Sequence, residues 1–84
     1  MSVSFLHMNE AANVKGKFVS IVAQTRRLRP LEVRFWGCDP SGEIVVLEQC
    51  RRDWVEVPKN SLNHPDYVAV IPRIKQLANR RIRR

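Results

Sequence analysis

The chain is short of nearly everything that would mark an enzyme, a secreted scaffold or a membrane protein. It has two cysteines, three glycines and two histidines in 84 residues. Two cysteines, Cys38 and Cys50, are too few for a disulfide framework. The hairpin register derived below also leaves them unopposed, so a bridge between them is disfavoured. Both are read as free thiols of an intracellular protein. Cys38, Cys50, His7 and His64 form no Cys-x-x-Cys or His-x-x-x-His pair, so no metal site is expected. There is no G-x-S-x-G, no phosphate-loop glycine pattern and no obvious carboxylate pair, so neither catalysis nor a cofactor is expected. No apolar run approaches the roughly 20 residues of a membrane span. The start, MSVSFLHMNEAANVKGK, lacks a basic leader followed by a long apolar stretch, so no signal peptide is expected.

What the chain has is positive charge, unevenly placed. The formal net charge is +7. Residues 72–84 hold Arg73, Lys75, Arg80, Arg81, Arg83 and Arg84 and no acid, which is +6 and leaves +1 for residues 1–71. Such a balance points to nucleic acid, an anionic membrane surface or an acidic protein, or else to a solubilising tail. The 44% hydrophobic content is that of an ordinary folded domain, and the length allows one.

The most informative stretch is 31–50, LEVRFWGCDPSGEIVVLEQC. Asp39-Pro40-Ser41-Gly42 places proline where a type I turn wants it and glycine where the next residue turns left-handed. This predicts a hairpin with a glycine bulge in which Asp39 opposes Glu43. Phe35 then faces Leu47, Trp36 faces Val46, Gly37 faces Val45, Cys38 faces Ile44 and Arg34 faces Glu48. Alternation puts Leu31, Val33, Phe35, Gly37, Val45, Leu47 and Gln49 on a core face. The other face carries Glu32, Arg34, Trp36, Cys38, Ile44, Val46, Glu48 and Cys50. It is amphipathic, with an Arg34–Glu48 pair, and reads as a contact surface.

The rest of the chain falls around the hairpin. Residues 1–16 read as an N-terminal arm, either extended or with one helical turn near Asn9. Lys17–Thr25, KFVSIVAQT, reads as a strand with Val19, Ile21 and Ala23 on one face and Phe18, Ser20, Val22 and Gln24 on the other. TRRLRP forms a basic loop. Trp54–Pro58 and Tyr67–Ile71 read as further strands, with Trp54 packing at the end of the sheet. Pro72 then opens a helix whose Ile74, Leu77, Ala78 and Ile82 recur at helical spacing. A helix starting at Pro65, with Asn63 as cap, is the alternative. It would carry a proline kink costing about 3 kcal/mol, so the strand is favoured. The expected fold is mainly β: a five-stranded barrel over 17–71, followed by a basic C-terminal helix and tail over 72–84.

In the stretches VKGKFVSIV, LEVRFWGCDPSGEI and WVEV, over residues 14–57, the chain resembles small oligonucleotide/oligosaccharide-binding (OB) fold modules. Residues 49–53 leave no room for a helix between the third and fourth strands, which favours the alternative of an SH3-like barrel. The OB resemblance implies a ligand surface across strands 2 and 3, flanked by two loops. On this chain that surface is Arg34 and Trp36, with Arg26, Arg27 and Arg29 on one side and Lys59 and His64 on the other. Trp36 would stack a base while the arginines follow phosphates, which favours single strands. The expected function is non-enzymatic nucleic-acid binding, with Arg73, Lys75, Arg80, Arg81, Arg83 and Arg84 adding charge. The alternative is a protein-interaction or regulatory subunit. It would use the Trp36 face to meet another protein or a second copy, and the tail to reach an acidic partner. If the C-terminal helix covers Trp36, the alternative gains.

Overall fold

The computed structural model describes residues 3–27 and 32–82, with side chains over 4–26 and 32–80. It is mainly β, with five antiparallel strands in one sheet and a C-terminal helix. The strands are β1 (Val3–Val14), β2 (Lys17–Arg27), β3 (Glu32–Cys38), β4 (Ile44–Cys50) and β5 (Asp53–Glu56). Their spatial order is their sequence order, a meander rather than the Greek key an OB module would show. The sheet coils until β1 and β5 approach within 8 Å between Cα atoms. No hydrogen-bonded ladder joins them among the described residues, so the sheet is not closed into a barrel.

The central hairpin has the register its turn chemistry dictates. Phe35 pairs with Leu47, Trp36 with Val46, Gly37 with Val45 and Cys38 with Ile44. Gly42 takes φ 92° and donates its N–H to the Asp39 carbonyl at 2.9 Å. Asp39 also ties the turn through its carboxylate, which accepts from the Ser41 hydroxyl at 2.6 Å and from the Ser41 and Glu43 N–H groups at 3.0 Å. The Ser41 bond is the chief reason its pKa lies below the ordinary value. The two backbone donors and Lys17 add to the lowering, and burial opposes it. A lowered carboxylate pKa stabilises the fold above the unfolded value near 3.8, and the contribution fades as pH falls through the folded value.

Three expectations change at the edges. Residues 3–14 are a full edge strand, not an arm. The ladder between β1 and β2 slips between His7 and Glu10, yet β1 keeps its alternation through the slip, with Phe5 toward one cluster and Met8, Ala12 and Val14 toward the other. A second irregularity between Ile21 and Ala23 moves Ala23 to the face of Val22, away from Val19 and Ile21. Residues 67–71 are not a strand. His64 caps α1 (Pro65–Val68), accepting from the Asp66 N–H at 3.2 Å, and Pro65 sits at the first helical turn. After a turn at Ala69–Val70 the chain enters α2 (Ile71–Ile82). Pro72 falls in the first turn of α2, where its missing N–H costs little. The five-strand count thus holds, but β1 supplies the strand that 67–71 was expected to give.

The sheet buries both faces by different means. On one face Trp36, Val22, Ala23, Val46 and Val57 lie under Leu62, Tyr67 and Ile74. Ile74 and Ala78 of α2 are buried, with Ile71 and Leu77 half-buried beside them, so the helix presents one apolar stripe to the sheet. On the other face no helix packs among the described residues. Val19, Ile21, Phe35, Val45 and Leu47 are covered by the coiling of the sheet itself, with Trp54 of β5 edge-on to Phe35 at 4.9 Å. Trp54 therefore packs at the sheet's end, as its alternation suggested.

The two thiols are free, with Cys38 buried and Cys50 exposed. In native protein one thiol is expected to react promptly with a thiol reagent, and two in denaturant without reductant. A count of zero in denaturant would mean that a disulfide had formed.

Candidate nucleic-acid interface

The meander sorts the cations by sheet end. One end gathers the β3 start, the Arg51–Arg52 turn, Arg26, and the Thr25 pairing with Phe5. The other gathers the β1–β2 turn at Lys15–Gly16, the Asp39–Glu43 turn and Lys59. Lys17 Nζ lies 3.9 Å from Asp39, and Lys59 pairs with Glu43. The helix α2 runs from the first end to the second. Its Arg73 guanidinium stacks over the Phe5 ring at 4.1 Å from the centroid, while Ala78 and Asn79 share a groove with Gly42 and Glu43.

This sorting separates the residues that the sequence placed together. Arg26 and Lys59 sit at opposite ends, so they cannot flank one ligand on strands 2 and 3. The side chains of Arg27, Arg81 and Ile82, and all of Arg29, Arg83 and Arg84, lie outside the described residues. His64 is spent on capping α1 and lies 3.5 Å from Asp66.

The expected stacking platform is absent. Trp36 is fully buried, and its indole N–H donates to the Thr25 hydroxyl at 2.8 Å. Its ring centroid lies 6.1 Å from that of Tyr67. The amphipathic look of its face arose because α2 covers only the centre. The uncovered margin is polar: Arg34 donates to Glu32 at 2.8 Å and to Glu48 at 3.0 Å. Half-buried and held by two carboxylates, Arg34 is neutralised rather than offered to a phosphate.

Lys59 is similarly engaged. Its hydrogen bond to Glu43 raises its pKa, helped by the Glu43 charge. By contrast, Lys75 at the rim of the groove beside α2 and Arg80 further along the helix are exposed, and among the described residues no carboxylate pairs with either. The α2 segment contains no acid at all. Its exposed cations are therefore uncompensated within the helix, as are Lys15, Arg26 and the Arg51–Arg52 turn on the sheet among the described residues. Its C-terminal turn leads toward the end holding Lys15 and Lys17.

No family model matches the chain, and no curated protein or solved structure matches it significantly.

Beside α2 lies a groove of about 620 Å³. Ile44, Val46 and Val57 form its floor, and Leu62, Val68 and Ile71 its walls. Among the described residues no cluster of three or more His, Cys, Asp or Glu is placed to hold a metal ion. No helix there is long and apolar enough to cross a membrane.

Sequence reasoning missed Phe18. It is 61% exposed at the start of β2, directly after the Lys15–Gly16 turn. The signal was available: an aromatic directly after Lys17 at the exit of a turn, on the face opposite Val19 and Ile21.

Proposed function

We propose that the protein is a non-enzymatic nucleic-acid-binding module whose contact surface is the exposed cations of α2 together with the arginine-rich run 80–84. The observation that supports this most is the gathering of unpaired charge on one acid-free helix. Among the described residues Lys75 and Arg80 have no carboxylate partner; Lys15, Arg26, Arg51 and Arg52 are unpaired too but scattered over the sheet, where Lys17, Arg34 and Lys59 are paired. Unpaired exposed cations on a rigid element release counterions when they meet phosphates, which drives binding at low salt. The helix C-terminus also welcomes cations through its dipole, by about 0.3–1 kcal/mol each. That accounts for one or two of them but not for the whole run. The coil of the sheet, with β1 and β5 drawn together, is the basis for reading the domain as an incompletely closed barrel. The two free thiols support an intracellular setting.

The test is equilibrium titration of the full chain against a labelled single strand and a duplex of equal length at two salt concentrations. The expected result is binding of both that weakens steeply with salt. Absence of binding at low salt overturns the proposal. The cover of Trp36 by α2 and the groove beside it favour a second reading, a protein-interaction subunit that takes an apolar side chain beside α2 and lets the tail meet an acidic partner. Salt-insensitive indifference to oligonucleotides would move that reading to the front.

A further inference from the structure

We propose that Phe18 is a base-stacking site at the helix end of this interface, and that it gives the module a preference for single strands. The inference rests on the nucleic-acid reading above and supplies the aromatic contact that Trp36 does not. Of the six aromatic residues Phe5, Phe18, Phe35, Trp36, Trp54 and Tyr67, only Phe18 is largely exposed. The others are buried or half-buried in one of the two clusters. A single exposed apolar side chain is ordinary by itself. The neighbourhood of this one is not.

Phe18 pairs with Asn13 across the β1–β2 ladder, two residues before Ser20, which pairs with Cys38. Alternation therefore puts its ring on the face that α2 covers, beyond the point where helix cover stops. Lys17 precedes it, and Lys15 stands in the adjoining turn with φ 50°. Lys15 is exposed and, among the described residues, pairs with no carboxylate. The α2 helix advances toward this same end, as Asn79 shares its groove with Gly42 and Glu43. Lys17 lies 3.9 Å from Asp39 of the turn next to it. The topology thus assembles one exposed ring, the unpaired Lys15 and the basic end of α2 at a single edge of the sheet, with Lys17 held by Asp39 beside them.

This is the composition that single-strand binding needs: a π face for a base and cations spaced along its backbone. A duplex keeps its bases stacked on one another and cannot offer one to the ring. Duplex binding would therefore use the cations alone.

The experiment compares wild type with Phe18→Ala, Phe18→Leu and Phe18→Tyr on a labelled twenty-nucleotide oligothymidine and a duplex of the same length, at two salt concentrations. Thermal melts check that each variant is folded, which exposure of the ring favours. Phe18→Ala is expected to weaken single-strand binding by about 5- to 150-fold, the range that loss of one stacking contact gives. The salt slope and the duplex affinity stay unchanged. Phe18→Leu is expected to follow alanine, and Phe18→Tyr to follow wild type. If wild type binds but Phe18→Ala or Phe18→Leu binds the single strand as well as wild type, the stacking site is wrong while the nucleic-acid reading stands. If wild type binds neither oligonucleotide at low salt, both fall together.

Discussion

Trp36→Ala is expected to lower the unfolding free energy by about 3–5 kcal/mol, the range for emptying a large aromatic from a packed core. The indole is fully buried between the sheet and the helices, so no rearrangement of exposed groups can soften the loss. Two costs add. Removing the ring leaves a cavity under Tyr67 and Ile74. It also strips the Thr25 hydroxyl, itself buried, of its donor at 2.8 Å. Against a total stability of about 5–15 kcal/mol for a small domain, the variant should be marginal or unfolded at room temperature. Trp36→Phe separates the two terms. It keeps most of the apolar contact and loses the hydrogen bond, so roughly 1–3 kcal/mol is expected. Chemical denaturation of both variants measures the effect. If Trp36→Ala is as stable as wild type, the indole is not in the core, and the surface reading of this face returns.

The second large effect is on binding. Deleting Arg80–Arg84, or changing its four arginines to glutamine, is expected to weaken nucleic-acid binding regardless of sequence. It should also flatten the log–log salt dependence by roughly one to two units. Each lost phosphate contact removes about 0.7 from the slope on single strands, and not every arginine near a terminus is used. A fall of one to two units changes the affinity ratio between about 50 and 200 mM salt by roughly 4- to 16-fold. The glutamine version keeps the helical length, so a loss common to both variants belongs to charge. An unchanged slope would remove the tail from the interface.

How far the fold was legible follows from which signals are local. The hairpin register could be read because Pro40 and Gly42 specify the turn, and one turn sets every pair along the ladder. β1 was hidden because its buried apolar residues are few and divided between two faces, Phe5 on one and Met8, Ala12 and Val14 on the other, with Glu10 interrupting the second set. YVAVI looked like a strand because valine and isoleucine favour one. The deciding features were the His64 cap, Pro65, and the helical spacing of Tyr67, Ile71 and Ile74 over Trp36. Tertiary burial overrode propensity there.

The site was less legible than the fold. Whether a half-apolar sheet face meets solvent or a helix is decided by where the following segment lands, and no residue of β3 encodes that. The same holds for Arg26 and Lys59. Both sit in flanking segments, yet only the strand order shows that they lie at opposite ends. The α2 cations were legible because an acid-free run needs no structure to be seen. The Arg34–Glu48 pair was legible from the hairpin register, but that Glu32 also holds Arg34 and that Glu43 takes Lys59 required the coordinates.

The most direct measurement is backbone and indole amide chemical-shift mapping of the intact protein during titration with a single-stranded oligonucleotide. The expected perturbations cluster on Lys75–Arg80 and on Lys15–Phe18, with the Trp36 indole N–H unmoved. Perturbation centred on Arg34 and the Trp36 indole, or none at low salt, would contradict an interface built on α2.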